Sequence, residues 1–270
     1  MHIHPLSEGS FTIDQTKVFV PFNTAIENLQ ERPKGSILVE IQPFVIITEK
    51  DIILLDTGLG YLGKSGKLQI HENLMSIGID PSSITKVFMS HLHKDHSGGL
   101  TYVDPISQQR FISFPYAKHY LQKREFDFAM EGGKSSYIPE HIALLEEFSG
   151  VVWLEEDEGQ IDNTIFYQLS AGHSKFHQVA WIKEQDEIIF FGGDEAPQLQ
   201  QMRSRFVAKY DMDGKKAMQW RQTWWEEGNT AGWQFAFYHD ISHPTWKNNS
   251  TILNKHSLGI NRDKGFKRSC

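Results

Sequence analysis

The stretch HLHKDHSGG, residues 91–99, places three histidines and one aspartate within six positions and follows them with two glycines. Neutral imidazole nitrogens and carboxylate oxygens are ligands that zinc and related divalent metals accept. Four such side chains are too many for one catalytic metal, which keeps a coordination position open. The spacing therefore indicates two neighbouring metals, with His91 and His93 on one and Asp95 and His96 on the other.

Further candidate ligands stand at the ends of later predicted strands. The strand predicted over residues 84–90 runs directly into His91, which places the cluster in a loop after a strand. Predicted strands are followed in turn by His173, Asp194 and His239. Because binding and catalytic residues concentrate in such loops, each of these residues is a candidate to complete the site.

The order of these residues resembles the signature of the metallo-β-lactamase-fold hydrolases. That signature is an H-x-H-x-D-H loop, a later G-H pair, an isolated aspartate and a final histidine, each at a strand end. The resemblance spans roughly residues 37–240 and includes Asp56-Thr57-Gly58, which matches the D-T-G that ends a strand in the family. It implies an α/β fold, a four-layer αβ/βα sandwich of two mixed sheets with helices on the outer faces.

The resemblance also implies a ligand set for two divalent metal ions. The first ion would be held by His91, His93 and His173, the second by Asp95, His96 and His239, and both would be bridged by Asp194. Zinc is the expected metal, with manganese, iron or cobalt as alternatives. Cys270 is the only cysteine, so the cysteine ligand of some β-lactamase branches is absent, which argues against that activity.

Three further histidine or aspartate positions have less definite roles. His239 is preferred to His243 as the last ligand because it directly follows an apolar run. Asp56 is either a partner for the second nitrogen of a metal-bound imidazole or only a turn former. His177 stands where relatives have the second histidine of G-H-T-P-G-H, but Lys175-Phe176 replaces the Pro-Gly pair. We therefore interpret His177 as an outer partner of the site or a structural residue.

Composition and charge narrow the classes of function. The chain has 270 residues, a net charge of −7 and 39% hydrophobic residues, so a general basic surface for nucleic acid is not expected. The opening MHIHPLSEGSFTID lacks the basic end and apolar run of a signal peptide, and no segment has the length of a membrane span. We predict one cytoplasmic domain over residues 1–270 that binds a small-molecule substrate and has no nucleic-acid or membrane partner, with a homodimer as a candidate assembly.

Hydrophobic patterning predicts the elements around the motifs. Residues 37–56 indicate two β-runs joined as a hairpin, and residues 67–78 a short helix. Two helices over residues 116–130 and 138–149 would form a helical insert at about residues 115–150. Further strands are predicted over 151–154, 164–169, 178–183, 188–191 and 233–238, and a further helix over 214–227.

The two metals determine the predicted chemistry. Metals that share a water lower its pKa enough to give hydroxide at neutral pH, so a metal-bridging hydroxide is the predicted nucleophile. Asp95 is the carboxylate placed to orient it and to carry its proton to the leaving group. Candidate pocket residues are Phe126, Phe128, Tyr137 and Tyr210, the two tyrosines also as oxyanion donors. The layout of insert, G-H segment and aspartate resembles the N-acyl-homoserine lactonase branch, which implies an ester or lactone substrate.

Other activities known in the family remain alternatives. A thioester hydrolase of the glyoxalase II type would use a basic C-terminal region, for which Lys264, Lys267 and Arg268 are candidates. A β-lactamase would carry a secretion signal, and nuclease relatives an added domain and a basic surface. A phosphotriesterase is a further alternative. Non-hydrolytic di-iron relatives have glutamate where His93 stands, so the ester or lactone hydrolase is preferred.

Overall fold

The computed structural model describes residues 1–132 and 134–248. The strands in these ranges are β1 (His2–Pro5), β2 (Gly9–Ile13), β3 (Val20–Pro21), β4 (Ile37–Ile41), β5 (Phe44–Ile47), β6 (Ile52–Leu55), β7 (Lys86–Phe88), β8 (Thr101–Val103), β9 (Arg110–Ile112), β10 (Lys118–Gln122), β11 (Val151–Leu154), β12 (Glu158–Ile161), β13 (Ile165–Leu169), β14 (Gln178–Glu184), β15 (Glu187–Phe191), β16 (Gln234–Ala236) and β17 (Thr245–Lys247). The α-helices in the same ranges are α1 (Gln69–Ser76), α2 (Lys94–Ser97), α3 (Lys123–Met130), α4 (Pro139–Ile142), α5 (Leu199–Met202) and α6 (Gly214–Ala231). Short 3₁₀ turns lie at Leu29–Glu31, Pro81–Ser83, Gly98–Leu100, Ala143–Glu146 and Gly193–Glu195.

The first of two six-stranded sheets in the described chain has the strand order β1-β5-β6-β7-β10-β11. Strand β5 pairs antiparallel with β1 and β6, whereas β6, β7, β10 and β11 run parallel to one another. Parallel neighbours bring their carboxyl ends to the same edge of a sheet. Asp56, which follows β6, and the loop that begins after β7 therefore lie side by side.

The second sheet of the described chain has the order β12-β13-β14-β15-β16-β17. Strands β12 to β15 form an antiparallel meander, and β16 then pairs parallel to β15 after the chain has passed through α5 and α6. The carboxyl ends of β15 and β16 consequently share an edge. Asp194 and His239 follow these two ends.

The sheets pack face to face, and helices cover both outer faces. Phe44 and Ile46 of β5 point into the core between the sheets, where the Phe44 ring lies 6.1 Å from that of Phe191. Val45, between them, points the other way and packs with Ile70 of α1. The outer face of the second sheet is covered in the same manner by α5 and α6. The four-layer arrangement of helices, two mixed sheets and helices is thus confirmed.

The segment at residues 37–56 forms three strands rather than the two predicted. Strands β5 and β6 make the predicted hairpin, but β4 belongs to a separate sheet with β2 and β3. Pro43 has no N–H to donate, so the ladder cannot continue through it. The neighbouring Gln42 turns inward and donates to the carbonyls of Phe237 (2.6 Å) and Asp240 (2.9 Å). The interruption therefore ties the first half of the chain to the loop after β16.

The prediction of a helical insert at about residues 115–150 is wrong in its first part. Residues 118–122 form β10, which lies inside the first sheet between β7 and β11. A parallel strand buried on both faces lacks the alternation that marks a half-buried strand, so its pattern resembles a helix. The helix predicted over 138–149 is only the short α4 and a 3₁₀ turn. Helices α3 and α4 are the crossover from β10 to its parallel neighbour β11, not a separate insert.

The other predicted elements are present with small changes in their bounds. Helices α1 and α6 and strands β7, β11, β13, β14, β15 and β16 lie where patterning placed them. The β8–β9 hairpin and β12 were not predicted. Among the helices of the described ranges, none has the length and apolar character needed to cross a membrane.

Candidate metal centre

The loop after β7 changes from extended to helical backbone in its middle. His93 is extended (φ −61°, ψ 149°) and immediately precedes α2, the single helical turn that carries Asp95 and His96. The His91 ring lies 4.4 Å from that of His93 and 4.2 Å from that of His96, centroid to centroid. The change of conformation brings the polar side chains of this short loop together.

The three later strand ends complete the cluster, with Asp194 at its centre. Asp194 Oδ2 lies 3.2 Å from His173 Nε2, and Asp194 Oδ1 lies 2.9 Å from His239 Nε2. The same Oδ1 is 3.1 Å from His96 Nε2. His239 Nε2 is also 3.5 Å from Asp95 Oδ2. One carboxylate thus faces imidazoles from both sheets.

The donor atoms form groups in which all atoms lie within 4.8 Å of one another. The first group, which we call the three-histidine group, consists of His91, His93, His173 and Asp194. The second consists of Asp95, His96 and His239. The structure therefore brings together all seven residues that the sequence nominated as ligands. A third grouping, of Asp56 with His91 and His96, reflects the contact of Asp56 with the outer side of His96.

Three buried atoms of this cluster, His91 Nε2, His96 Nε2 and Asp194 Oδ1, make no hydrogen bond of good geometry within the described residues. Asp194 Oδ1 nevertheless lies 2.9 Å from His239 Nε2 and 3.1 Å from His96 Nε2. Atoms so placed suit a shared cation, because a buried polar group without a well-formed hydrogen bond costs about 1–3 kcal/mol. Imidazole nitrogens and carboxylate oxygens are the donor set of zinc and similar ions. The residues present therefore fit divalent cations.

The outer nitrogens of four cluster imidazoles are each held by a polar group. His96 Nδ1 lies 2.7 Å from Asp56 Oδ2, and His173 Nδ1 lies 2.9 Å from Asp211 Oδ1. His239 Nδ1 is 2.7 Å from the carbonyl of Glu40, and His91 Nδ1 is 3.0 Å from the hydroxyl of Ser90. A carboxylate or carbonyl at Nδ1 fixes the tautomer that leaves the Nε2 lone pair free. The imidazoles so held point their free nitrogens at the cluster.

Asp56 combines the two roles that the sequence left open. Its backbone is left-handed (φ 56°), as expected for a turn residue at a strand end. Its carboxylate accepts the N–H and O–H of Ser90, both at 2.7 Å, and contacts His96. The turn therefore places a carboxylate under the loop of residues 91–99.

Glycines allow the turn after Asp56 to pack directly on the loop of residues 91–99. A Cβ on Gly60, which has a φ of 73°, would lie 2.2 Å from the carbonyl oxygen of Gly98. A Cβ on Gly99 would lie 2.1 Å from the carbonyl oxygen of Thr57. Two backbones approach here at a distance that side chains would prevent.

Electrostatics divides the cluster into neutral and charged imidazoles. Burial lowers the pKa of His91 and of His93 well below the ordinary histidine value, which leaves both neutral. Burial also acts to lower the pKa of His96, but the carboxylates of Asp194, Asp95 and Asp56 raise it well above that value. The negative charges of these carboxylates favour a positive charge at His96. A proton on His96 or a bound cation can supply that charge.

His177 and His243 stand outside the two donor groups. His177 is fully buried, and its Nε2 accepts the backbone N–H of Asp194 at 3.2 Å while its Nδ1 lies 3.0 Å from Ser170 Oγ. It therefore holds the backbone that presents the central carboxylate. The His243 side chain is 56% exposed, and its one ion-pair contact among the described residues is Asp240 Oδ1 at 3.7 Å. The structure thus brings His239 and not His243 to the cluster.

The four candidate pocket residues have different surroundings. Phe126 packs at 4.8 Å against Trp153 in the core under the helices, so its prediction as a pocket residue is wrong. Its position on the inner face of α3 explains this, because that face covers the first sheet. Phe128 is half-buried against Tyr137, with ring centroids 5.8 Å apart. Of the four residues, the two tyrosines contact imidazoles of the cluster, and Phe128 reaches only as far as Tyr137.

The two tyrosines differ in what their hydroxyls do. The Tyr137 ring lies 4.7 Å from that of His93, but its O–H donates to the buried Glu125 at 2.9 Å. The Tyr210 ring lies 5.9 Å from that of His173, and its hydroxyl oxygen accepts from Gln201 at 2.9 Å. Within the described chain the Tyr210 proton is not committed to an acceptor.

Sequence reasoning missed the residues that support His173. Asp211 holds its Nδ1, and Glu195 accepts its backbone N–H at 2.8 Å. The fully buried Arg221 of α6 donates to the carbonyl of Glu195 at 2.8 Å and lies 3.9 Å from Asp211. Asp211 stands in a polar run where turn residues are expected, which gives no signal. The one indication in the sequence was Arg221, because it stands at a position of α6 where hydrophobic patterning predicts an apolar residue.

Known proteins resemble this chain in sequence and in structure. It is 29% identical over 116 aligned residues to the N-acyl homoserine lactonase AttM of Azorhizobium caulinodans, covering 38% of this chain and 37% of that protein. The alignment thus spans little more than a third of that relative's length. A probable metal-dependent hydrolase from Staphylococcus aureus superposes with a TM-score of 0.73 at 22% identity, over 91% of each chain. The dizinc quorum-quenching lactonase AidC superposes with a TM-score of 0.66 at 20% identity, over 90% of this chain and 88% of that one.

The superpositions, all at low identity, establish the fold. The family assignment comes from the sequence model of the metallo-beta-lactamase superfamily, which matches residues 39–246. That range contains all seven residues of the cluster and both six-stranded sheets except β1 and the last residue of β17. Fold, residue order and family match agree, and the chain belongs to the metallo-β-lactamase superfamily.

Proposed function

We propose that the protein is a dinuclear metal-dependent hydrolase that opens an ester or a lactone. The observation that carries the proposal is the pair of donor groups joined by Asp194, whose Oδ1 lies 2.9 Å from His239 Nε2 and 3.1 Å from His96 Nε2, with His91 Nε2 buried and without a hydrogen bond in the described residues. Two groups joined by one carboxylate would hold two divalent cations. Zinc is the first candidate because the donors are nitrogen and oxygen, and manganese, iron and cobalt accept the same donors.

Bound in this cluster, two divalent cations would supply an activated water as nucleophile and would polarise the oxygen under attack. The chain's own groups account for the remaining requirements. The Asp95 side chain lies at the edge of the cluster, 3.5 Å from His239 Nε2, where it can take a proton from the nucleophile and pass it to the leaving oxygen. Asp194 and the two donor groups hold the reacting centre in place.

Tyr210 is the side-chain donor that we assign to the substrate oxygen. Burial raises the pKa of its hydroxyl, and the nearby Asp211 and Asp194 act in the same direction, so the proton is retained at neutral pH. Gln201 orients the hydroxyl without using its proton. Tyr137 is less suited, because its proton is already donated to Glu125.

The choice of an ester or lactone rests on the relatives. AttM is named as an N-acyl homoserine lactonase, and AidC is described as a dizinc quorum-quenching lactonase. The residues that would favour a glutathione thioester, Lys264, Lys267 and Arg268, lie outside the described residues. A lactone is therefore the first substrate to test.

The proposal is tested with metal-quantified protein and a panel of lactones, aryl esters, thioesters, phosphotriesters and β-lactams. We expect two metals per chain and highest kcat/KM on a lactone or ester. His93→Ala should reduce kcat/KM by more than about 100-fold, whereas the exposed His243→Ala should leave it unchanged. Fewer than two metals per chain, or full activity in His93→Ala, would contradict the dinuclear hydrolase. If the protein prefers a thioester, the proposed substrate is wrong but the proposed mechanism is retained.

A further inference from the structure

The buried carboxylate of Glu125 joins three segments that are distant in sequence. It lies in the first turn of α3 and is 1% exposed. Its Oε1 accepts the backbone N–H of Leu92 at 3.2 Å and the O–H of Tyr137 at 2.9 Å. The hydroxyl of Ser174 lies 3.4 Å from each of its oxygens. Nothing in the proposed chemistry uses this carboxylate.

Leu92, Tyr137 and Ser174, three of the partners of Glu125, are each next to a histidine of the three-histidine group. Leu92 separates His91 from His93, and Ser174 directly follows His173. The third partner, Tyr137, presses its ring edge-on against His93 at 4.7 Å. A single side chain thus contacts the neighbours of all three imidazoles.

The second donor group is supported by other residues. His96 is held at its outer nitrogen by Asp56, and His239 by the carbonyl of Glu40. Among the hydrogen bonds of the described chain, none joins Glu125 to Asp95, His96 or His239. The influence of Glu125 is therefore directed to one half of the cluster.

A purely structural role as a helix cap does not explain this carboxylate. Gln122 already caps α3, because its side chain accepts the N–H of Arg124. Burial raises the pKa of Glu125, against hydrogen bonds from Tyr137, from the Leu92 and Phe176 backbones and from Ser174. Burying a carboxyl group that neither caps a helix nor forms an ion pair costs free energy of folding. Such a cost is expected where the contacts of the carboxyl group are themselves required.

We propose that Glu125 is a positioning residue for the three-histidine group and sets the affinity of that group for a divalent cation. The inference rests on the proposed metal-dependent function. Hydrogen-bonded partners outside the ligands commonly change metal affinity by about 10–100-fold when they are altered. Loss of the Glu125 contacts would free the loops of His91, His93 and His173 to move apart. The affinity of the second donor group should be retained.

The test is a cobalt titration of metal-free protein, followed by the visible absorption of bound Co²⁺ and by competition with a chelator. Glu125→Gln keeps the shape of the side chain but replaces one acceptor oxygen by a donor. Asp127→Asn is the matched control, since Asp127 lies on the same helix, is exposed and, in the part of the chain that the structure describes, forms an ion pair with Lys123 alone. We expect one of two cobalt affinities to fall at least about 10-fold in Glu125→Gln, with a changed spectrum for that ion, and no change in the control.

Unchanged affinities in a folded Glu125→Gln protein, or an equal fall at both sites, would overturn the inference. If that variant does not unfold cooperatively, Tyr137→Phe gives the same test, because it keeps the ring on His93 and removes only the hydroxyl bonded to Glu125. There too, one affinity should weaken, and no change at either site would overturn the inference. Wild-type protein that binds fewer than two cobalt ions would contradict the proposed function itself. Two ions in wild type with unaltered binding in both variants would reject only the role of Glu125.

Discussion

The carboxyl group of Glu8 should make the protein less stable as the pH rises, and Glu8→Gln should remove this dependence. Glu8 is 6% exposed and accepts the backbone N–H of Leu59 at 2.7 Å through Oε2. Its Oε1 has no hydrogen-bond partner within the described residues. The site is tight, since a Cβ on Gly58 would lie 2.4 Å from this carboxyl group. Glutamine has the same shape and retains an acceptor for Leu59.

The expected magnitude follows from the pKa. Burial raises the pKa of Glu8 from 4.5 to about 8, with the charge of Asp95 adding to the effect. A raised pKa means that the folded state holds the proton more tightly, so the stabilisation is complete below pH 4.5 and is lost as the pH rises through about 8. Each pH unit in this window corresponds to about 1.4 kcal/mol. The full window of roughly 3.5 units therefore amounts to at most about 5 kcal/mol.

The measurement is the free energy of unfolding in urea at intervals from pH 5 to pH 9. Chelator-treated protein is used, because bound cations would add a pH dependence of their own. The difference between Glu8→Gln and wild type cancels the contribution of every other titrating group. It should grow in favour of the variant by about 1.4 kcal/mol per pH unit between roughly pH 5 and pH 7.5 and level off above pH 8. A difference that is constant across this range would show that Glu8 ionises normally in the folded state and would refute the reasoning.

Three further outcomes are expected. His239→Ala should lower the metal content by one ion per chain, whereas His243→Ala should retain the wild-type content, as measured by elemental analysis after dialysis; equal losses would contradict the assignment of the last ligand. His119 is buried and its pKa is lowered from 6.5 to about 4, so stability should fall by about 3 kcal/mol as the pH drops from about 6.5 to about 4, where the unfolded chain takes up the proton first. His119→Phe should show a correspondingly smaller fall in acid urea titrations, and an unchanged acid sensitivity would argue against this origin. Gly60→Ala should destabilise the fold by more than Gly35→Ala, because both have a positive φ but only Gly60 faces a backbone carbonyl at 2.2 Å. The strain common to both amounts to about 1–3 kcal/mol, and equal losses of unfolding free energy in the two variants would exclude a steric contribution.

The polar cluster was predictable because its residues occur in the order of the metallo-β-lactamase-fold signature. Each of His173, Asp194 and His239 follows an apolar run that indicates a strand, and the resemblance implied that these strand ends converge. The central strand β10 was missed because burial on both faces erases the alternation that reveals a strand. The outer partners were missed for a different reason. Asp211 and Glu125 have ordinary local sequences, and only tertiary packing brings them to the histidines.

The candidate ligands come from early and late parts of the chain, so the cluster is complete only when both parts have folded. The first four candidate ligands occur by residue 96, but Asp194 Oδ1 meets His239 Nε2 only after the second sheet has formed and closed on the first. On the proposed function, a chain growing from its N-terminus cannot hold a metal with full affinity until β16 has docked. Tight metal uptake would then be a late event in folding, and an ion bound only to the native state would stabilise that state by mass action.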